Sequence, residues 1–429
     1  MQFHTPLSRR LFLQHGVTLA SLIPTLPAFI ERSALGMVAQ AAGGTAGIPD
    51  ERILVIIQLG GGNDGLNTVV PYGASEYFNA RPSIAIGVPG STRGGAGAAI
   101  ELDQAKGIGL HPALTGLKEL YDDGLVTVVQ GTGYPNPNRS HFTSMDIWQT
   151  ARTDGKGNGW VGRYFDATCN GTPAPEGAVA MGRQAPLALM GDVQKPIAFE
   201  SAELFEWLGK DLHGTLAAPY ESINRRGTLD GVEAETQASF LMRTALDAQI
   251  SSERIRTAVA KRPLVEYPGS GLARQLQTIG AMIRDGMRTR VYYASLSGFD
   301  THSGQVGSHA NLMGQLGGAL RAFQNDLKAQ GNEGRVVTMC FSEFGRRVRQ
   351  NASAGTDHGT AAPLFLVGAP VRPGILGEHP SLVDLDQGDL KHTVDFRSVY
   401  AGILEDWLRA PSEKVLGGTF PKAALFRGA

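Results

Sequence analysis

A mostly parallel α/β sheet sandwiched by helices is the fold class this chain predicts, and three observations carry it. From Glu51 onward, apolar runs of strand length alternate with segments of helical periodicity, the pattern of parallel strands joined by crossover helices. The run Ile53-Leu54-Val55-Ile56-Ile57-Gln58-Leu59 is apolar with one interruption, as a strand buried on both faces must be. Oxygen and nitrogen donors stand just beyond several such runs, at the edge where open α/β sheets gather ligands.

In chain order, Ile53 to Leu59 is the first strand and Pro82 to Val88 reads as a short second one, before a Gly/Ala-rich loop from Gly90 to Ala99. A helix is expected from His111 to Asp122, where Leu114, Leu117 and Leu120 fall on one face. Val126 to Gln130 is a third strand. The loop Gly133-Tyr134-Pro135-Asn136-Pro137-Asn138-Arg139 then leads to a helix over Ser140–Thr150. Asp230 to Lys261 and Gly271 to Arg288 read as amphipathic helices, giving a helical insert or cap within 200–288. Strands over Arg290–Leu296, Arg335–Phe341 and Ala362–Val367, a helix over Ser308–Gln330 and a last helix over Val394–Leu408 complete the pattern.

The 429 residues, 42% hydrophobic and 18% charged, describe a globular chain with a sizeable core. A formal net charge of -1 leaves no basic field, so neither nucleic acid nor an anionic membrane surface is expected as a partner. Glycine reaches 56 residues, nearly twice the usual share of about 7%, so many loops need unusual backbone angles. The only cysteines, Cys169 and Cys340, read as unpaired thiols.

At the amino terminus, Ser8-Arg9-Arg10-Leu11-Phe12-Leu13-Gln14 precedes an apolar stretch from Val17 to Ile30, and Ala39-Gln40-Ala41 offers a cleavage site. This resembles a twin-arginine export signal. Residues 1–41 are therefore expected to direct the folded domain, 42–429, to the periplasm. Pro24 and Pro27 argue against a spanning helix, and the mature chain shows no transmembrane segment.

Phe299-Asp300-Thr301-His302-Ser303 and Gly355-Thr356-Asp357-His358-Gly359-Thr360 pair carboxylate with imidazole beside strands, which suits a Zn-, Mn- or Fe-type divalent ion. Phe341-Ser342-Glu343-Phe344-Gly345 closes another strand. Gly60-Gly61-Gly62-Asn63-Asp64-Gly65 satisfies a Gly-x-Gly-x-x-Gly pattern. The dinucleotide reading fails, because Pro71 and Gly73 cut short the required helix and the next run ends in Gly87-Val88-Pro89 without an acid. No Gly-x-Ser-x-Gly elbow, phosphate loop or His-Glu-x-x-His motif occurs.

Taken with Gly133–Phe142, Asp300–Ser303, Phe341–Arg346, Thr356–Thr360 and His392–Tyr400, the glycine run from Gly61 to Thr68 resembles the exported bacterial domain-of-unknown-function family 1501. The resemblance spans Arg52 to Leu408. That family is grouped with the alkaline phosphatase and sulfatase superfamily, which implies an alkaline-phosphatase-like sheet and hydrolysis of a small phosphate or sulfate ester with one or two divalent ions. Zn, Mn, Mg and Ca are not distinguished. Carried over, Asp64 corresponds to the first acidic ligand, and Ser140 to a nucleophile at a helix start with Arg139 beside it to pair the anion. Asp300, His302, Glu343 and His358 correspond to metal ligands, with His309 competing for the position of His302. Phe344 stands where the superfamily has a second histidine.

Each residue also has a plain structural role open to it. Asp64 can form a turn, Ser140 can cap a helix, and Glu343 can pair with Arg346 or Arg347. His111, His141 and His392 read as cap or loop histidines. The alternative function is a non-catalytic exported binding or surface-assembly protein on a degenerate scaffold.

Overall fold

The computed structural model describes residues 51–91, 96–169, 175–192, 195–201 and 252–428. Nine strands form the central sheet: β1 (Ile53–Gly60), β2 (Val126–Gly133), β3 (Ala178–Met181), β4 (Ile197–Phe199), β5 (Val291–Ser297), β6 (Val336–Phe341), β7 (Ala362–Val367), β8 (Gly374–Leu376) and β9 (Val394–Asp395). Their order is β8-β2-β7-β6-β1-β5-β3-β4, with β9 also on β2. β1 pairs in parallel with β5 and β6, β3 with β4 and β5, and β2 with β8 and β9. Only β7 runs against its neighbours, β6 and β2. The expected mostly parallel α/β sheet is present.

Why β1 reads as a continuous apolar run is plain from its two faces. Ile53, Val55, Ile57 and Leu59 enter one core, together with α1 (Thr115–Asp122), α4 (Gly271–Arg284) and α5 (Gln305–Ala329), through residues such as Leu117, Leu276, Leu316 and Phe323. Leu54 and Ile56 enter a second core with α2 (His141–Thr150), α3 (Trp160–Thr168) and α6 (Phe396–Gly402). Alternating side chains thus meet helices on both sides of the sheet. In the second core Trp148 stacks between Phe341 and Phe396, at centroid distances of 5.1 and 4.3 Å, which pins α2 to the end of β6.

Two segments differ from the sequence reading. Pro82 to Val88 makes only an isolated bridge, Gly87 to Ala98, because the amides of Ser83 and Ile84 are taken by Gln350 and that of Ile86 by the Tyr77 hydroxyl. The helix expected over Val394–Leu408 begins at Phe396, since Val394 and Asp395 pair with β2 and the Asp395 carboxylate caps the helix by accepting from the Arg397 amide. It widens into a π-turn over Ile403–Trp407. Within 200–288, residues 202–251 lie outside the described residues, and α4 packs on α5 and β5 as part of the first core. Residues 1–41 also lie outside the described residues. Among the described residues no helix is long and apolar enough to cross a membrane.

Candidate metal centre

The carboxyl ends of β1, β2, β5 and β6 and the amino end of β7 lie on one edge of the sheet, and their loops bring Glu343, His141, Asp300, His302 and His358 together. The focus is one oxygen, Oδ1 of Asp300. Nε2 of His302 lies 3.0 Å from it, Nε2 of His358 3.1 Å and Nε2 of His141 3.4 Å. The donor atoms of His141, Asp300 and His358 all lie within 4.8 Å of one another. Nε2 of His302 and of His358 face each other at 3.0 Å.

What the far sides of these rings touch decides their tautomers. Nδ1 of His141 is 2.8 Å from the Glu343 carboxylate, Nδ1 of His302 is 3.2 Å from Asp357, and Nδ1 of His358 is 2.8 Å from the Arg139 carbonyl. All three partners are acceptors, so each Nδ1 carries the hydrogen and each Nε2 turns a lone pair towards Asp300. Nε2 of His141 is buried and makes no hydrogen bond. Three lone pairs aimed at an anionic oxygen repel one another unless a cation lies among them. Two imidazole nitrogens bound to a tetrahedral zinc stand about 3.3 Å apart, close to the spacing here. Carboxylate or carbonyl partners on the outer nitrogens are the usual supports of metal-binding histidines. The residues fit a divalent ion.

Two of these supports have supports of their own. Glu343, 2% exposed, also accepts from the Gly61 amide at 2.8 Å and the Ser342 hydroxyl at 3.1 Å, so its carboxylate is turned to His141 and away from the Asp300 oxygen. The Asn351 amide bonds Asp357 at 3.1 Å and the His302 carbonyl at 2.9 Å. Arg346, buried, donates to Asp300 at 2.7 Å and to the carbonyls of Gly62, Thr356 and Phe299. Partial burial pushes the Asp300 carboxyl up, but the hydrogen bond and the guanidinium charge of Arg346 outweigh it. The group stays well below the usual carboxylate range.

Phe344 fills the remaining side. Its ring lies 4.8 Å from the His141 ring and 4.9 Å from that of His358, a wall with no lone pair where the resemblance puts a second histidine. The glycine run serves this packing. At Gly61, with φ +114°, a Cβ would come within 2.6 Å of the Asp300 amide, and at Gly62, with φ +72°, it would strike the Phe344 ring.

Asp64 and His309 lie apart from this cluster. Asp64 is fully buried and bonded to Arg81 at 2.6 Å, with a further short hydrogen bond from Gln305. Burial raises its carboxyl, but the charge and hydrogen bond of Arg81 bring it below the ordinary value. His309 donates from Nε2 to the Asn63 amide oxygen at 3.0 Å and packs edge-on against His111. Burial lowers both histidines, His309 to about 4 and His111 to about 3, so both are neutral in the folded chain. Unfolded, they return to about 6.5. Between these values the unfolded chain binds protons that the folded chain does not, so stability is complete above about pH 6.5 and falls as the pH drops towards about 4. The melting temperature is expected to decline steadily over that window, and a level profile would contradict the neutral assignment.

Ser140 occupies the cap position of α2, but its side chain makes no capping bond, and its hydroxyl is exposed without a partner among the described residues. The partly exposed guanidinium of Arg139 makes a short ion pair through one nitrogen with the buried Asp389. The Arg139 backbone carbonyl holds His358. His141, Asp357 and Arg346 were not singled out by sequence as parts of this site. The signal for His141 was its place at a helix start directly after the Pro-Asn loop; Asp357 adjoins His358 within a quoted motif.

Sheet, edge and donor set together define an α/β protein with a candidate cation site where His141, Asp300 and His358 converge. The chain belongs to the family described as Protein of unknown function (DUF1501), which it matches over residues 51–406. No curated protein matches it. Among solved structures it is similar to Ps i-CgsB in complex with k-i-k-neocarrahexaose, at 10% identity and a TM-score of 0.37, covering 86% of this chain and 75% of that one. The lipoteichoic acid synthase LtaP from Listeria monocytogenes gives 10% and 0.33, covering 80% and 72%. Phosphonoacetate hydrolase from Sinorhizobium meliloti 1021, in complex with phosphonoformate, gives 12% and 0.26, covering 72% and 61%. Likenesses this weak decide nothing about activity.

Proposed function

We propose that this protein is a divalent-metal-dependent hydrolase of phosphate or sulfate esters that binds one ion per chain. The observation that carries this reading is the convergence of three Nε2 atoms on one Asp300 oxygen, each ring held from behind by an acceptor. His141, Asp300 and His358 would hold the ion, with His302 beside them; Glu343 and Asp357 orient rings. Bound there, a divalent ion polarises an ester oxygen and lowers the pKa of a hydroxyl or water. Imidazole and carboxylate donors favour Zn, Mn or Fe over Ca.

The chain's own residues do the rest. Arg346 keeps Asp300 ionised, and Phe344 excludes water from one side of the imidazoles. Ser140, exposed at the first turn of α2 with a free hydroxyl, is the nucleophile of this reading, beside helix amides that favour an anion. Residues 1–41 as a twin-arginine signal and the periplasm as destination belong to the same proposal.

Elemental analysis and turnover of p-nitrophenyl phosphate and p-nitrophenyl sulfate test it. One ion per chain is expected, with hydrolysis of at least one ester that disappears on chelation and returns with added metal. Hydrolysis that survives complete removal of metal, or none with the site filled, sinks the reading. Phe344 and the pairing of Arg139 with Asp389 favour a second one, a metal-bearing but non-catalytic binding or assembly protein. A filled site without turnover is its signature.

A further inference from the structure

Two buried hydroxyls beside the metal centre have no part in the reaction above. Tyr134 is 3% exposed and Ser144 is fully buried, and their oxygens lie 2.9 Å apart. Ser144 has one hydrogen to give, and the carbonyl of Glu343, 2.6 Å away, takes it. The hydrogen between the two hydroxyls is therefore that of Tyr134, and burial keeps it on the phenol by raising that group above its ordinary value. The Tyr134 oxygen in turn accepts from the Asn138 amide at 3.0 Å. One directed chain results, from the Asn138 N–H through Tyr134 and Ser144 to the Glu343 carbonyl.

Both ends of this chain lead to the metal centre. At one end the Asn138 side chain accepts from the Ser140 amide at 2.8 Å, so holding Asn138 also holds Arg139, whose carbonyl supports His358 at 2.8 Å. At the other end Glu343 supports His141 at 2.8 Å through its carboxylate. Ser144 lies three residues after His141, on the same face of α2. Stacking of Trp148 presses α2 onto the sheet, but stacked rings tolerate sliding that directed hydrogen bonds do not. We infer that Tyr134 and Ser144 are positioning residues, a latch that sets the His141 imidazole and the Arg139 carbonyl where a bound ion needs them. The consequence for metal rests on the metal-site part of the hydrolase reading; the latch itself does not.

Tyr134→Phe keeps the ring, which packs edge-on against Phe396 at 5.9 Å, and removes only the relaying oxygen. Zn affinity of the full chain, read by competition with a chromophoric chelator, should fall about tenfold in Tyr134→Phe and in Ser144→Ala, at the lower end of the range for supporting residues. The double variant should lose no more than about twofold beyond either single one, because both break the same chain. Tyr400→Phe is the control. It deletes another buried tyrosine hydroxyl of the same core, bonded to the Trp148 carbonyl at 3.2 Å and outside the chain, and should bind Zn as the parent does. In the metal-free protein, hydrogen exchange of amides 138–143 should quicken in Tyr134→Phe and Ser144→Ala and stay unchanged in Tyr400→Phe. Unchanged exchange in both latch variants overturns the proposal, as does an equal loss of affinity in Tyr400→Phe, which would make the effect one of core stability. If exchange quickens but no form binds Zn or hydrolyses an ester, the hydrolase reading fails and the latch stands. If the parent binds Zn and turns over an ester while both latch variants bind as it does, the latch fails and the hydrolase reading stands.

Discussion

Bound metal is expected to fall from one ion per chain to a trace when His141 or His358 is replaced by alanine. Each change removes an Nε2 that faces the Asp300 oxygen, at 3.4 and 3.1 Å. Loss of a residue that only supports a ligand already costs about 10–100-fold in metal affinity, and loss of a ligand itself should cost more than about 100-fold. Glu343→Gln is the informative contrast. It keeps the shape behind His141 but weakens the acceptor at Nδ1, so its affinity should fall by about 10–100-fold, short of the alanine variants. The metal-free melting temperature separates ligation from folding, since neither imidazole lies in the apolar cores. Unchanged metal content in His141→Ala would remove that residue from the site.

The second large effect is on stability. Arg81→Met should destabilise the chain by about 3–5 kcal/mol, read from denaturant midpoints, because it leaves a buried carboxylate without its counter-ion. Asp64 and Arg81 are both 0% exposed, and Oδ1 of Asp64 has no hydrogen bond to fall back on. The same guanidinium donates to the carbonyls of Val348 at 2.9 Å and Arg347 at 2.8 Å, tying the loop after β6 to the loop after β1. Asp64→Asn in the Arg81→Met background should recover a large part of the loss, since the stranded charge goes with it. A loss below about 1 kcal/mol in the single variant would show that water reaches Asp64.

Particular residues show what was legible in the sequence. β1 and β6 could be read because a strand buried on both faces has no polar alternation to blur its ends. Asp300, His302 and His358 could be read because they stand within a few residues of strand ends, and the fold brings them together. Asp64 has the same local signature as Asp300. What separates them is the partner each meets, Arg81 for one and Arg346 for the other, and sequence spacing holds no record of either pairing. His141 looked like a cap residue because its role depends on Glu343, 202 positions away. The Pro82–Val88 run failed as a strand for a similar reason: side chains from elsewhere claimed its amides.

The direction of a single strand sets the chemistry of the edge. Because β7 runs opposite to β6 and β2, the chain reaches the donor-bearing rim before it enters that strand, and His358 is delivered on the way in. A six-residue strand is about 20 Å long. With the opposite polarity the same histidine would arrive at the far rim, beyond the reach of any side chain to Asp300. One reversal of chain direction is thus what allows a residue late in the chain to face the same carboxylate oxygen as His141, which follows β2.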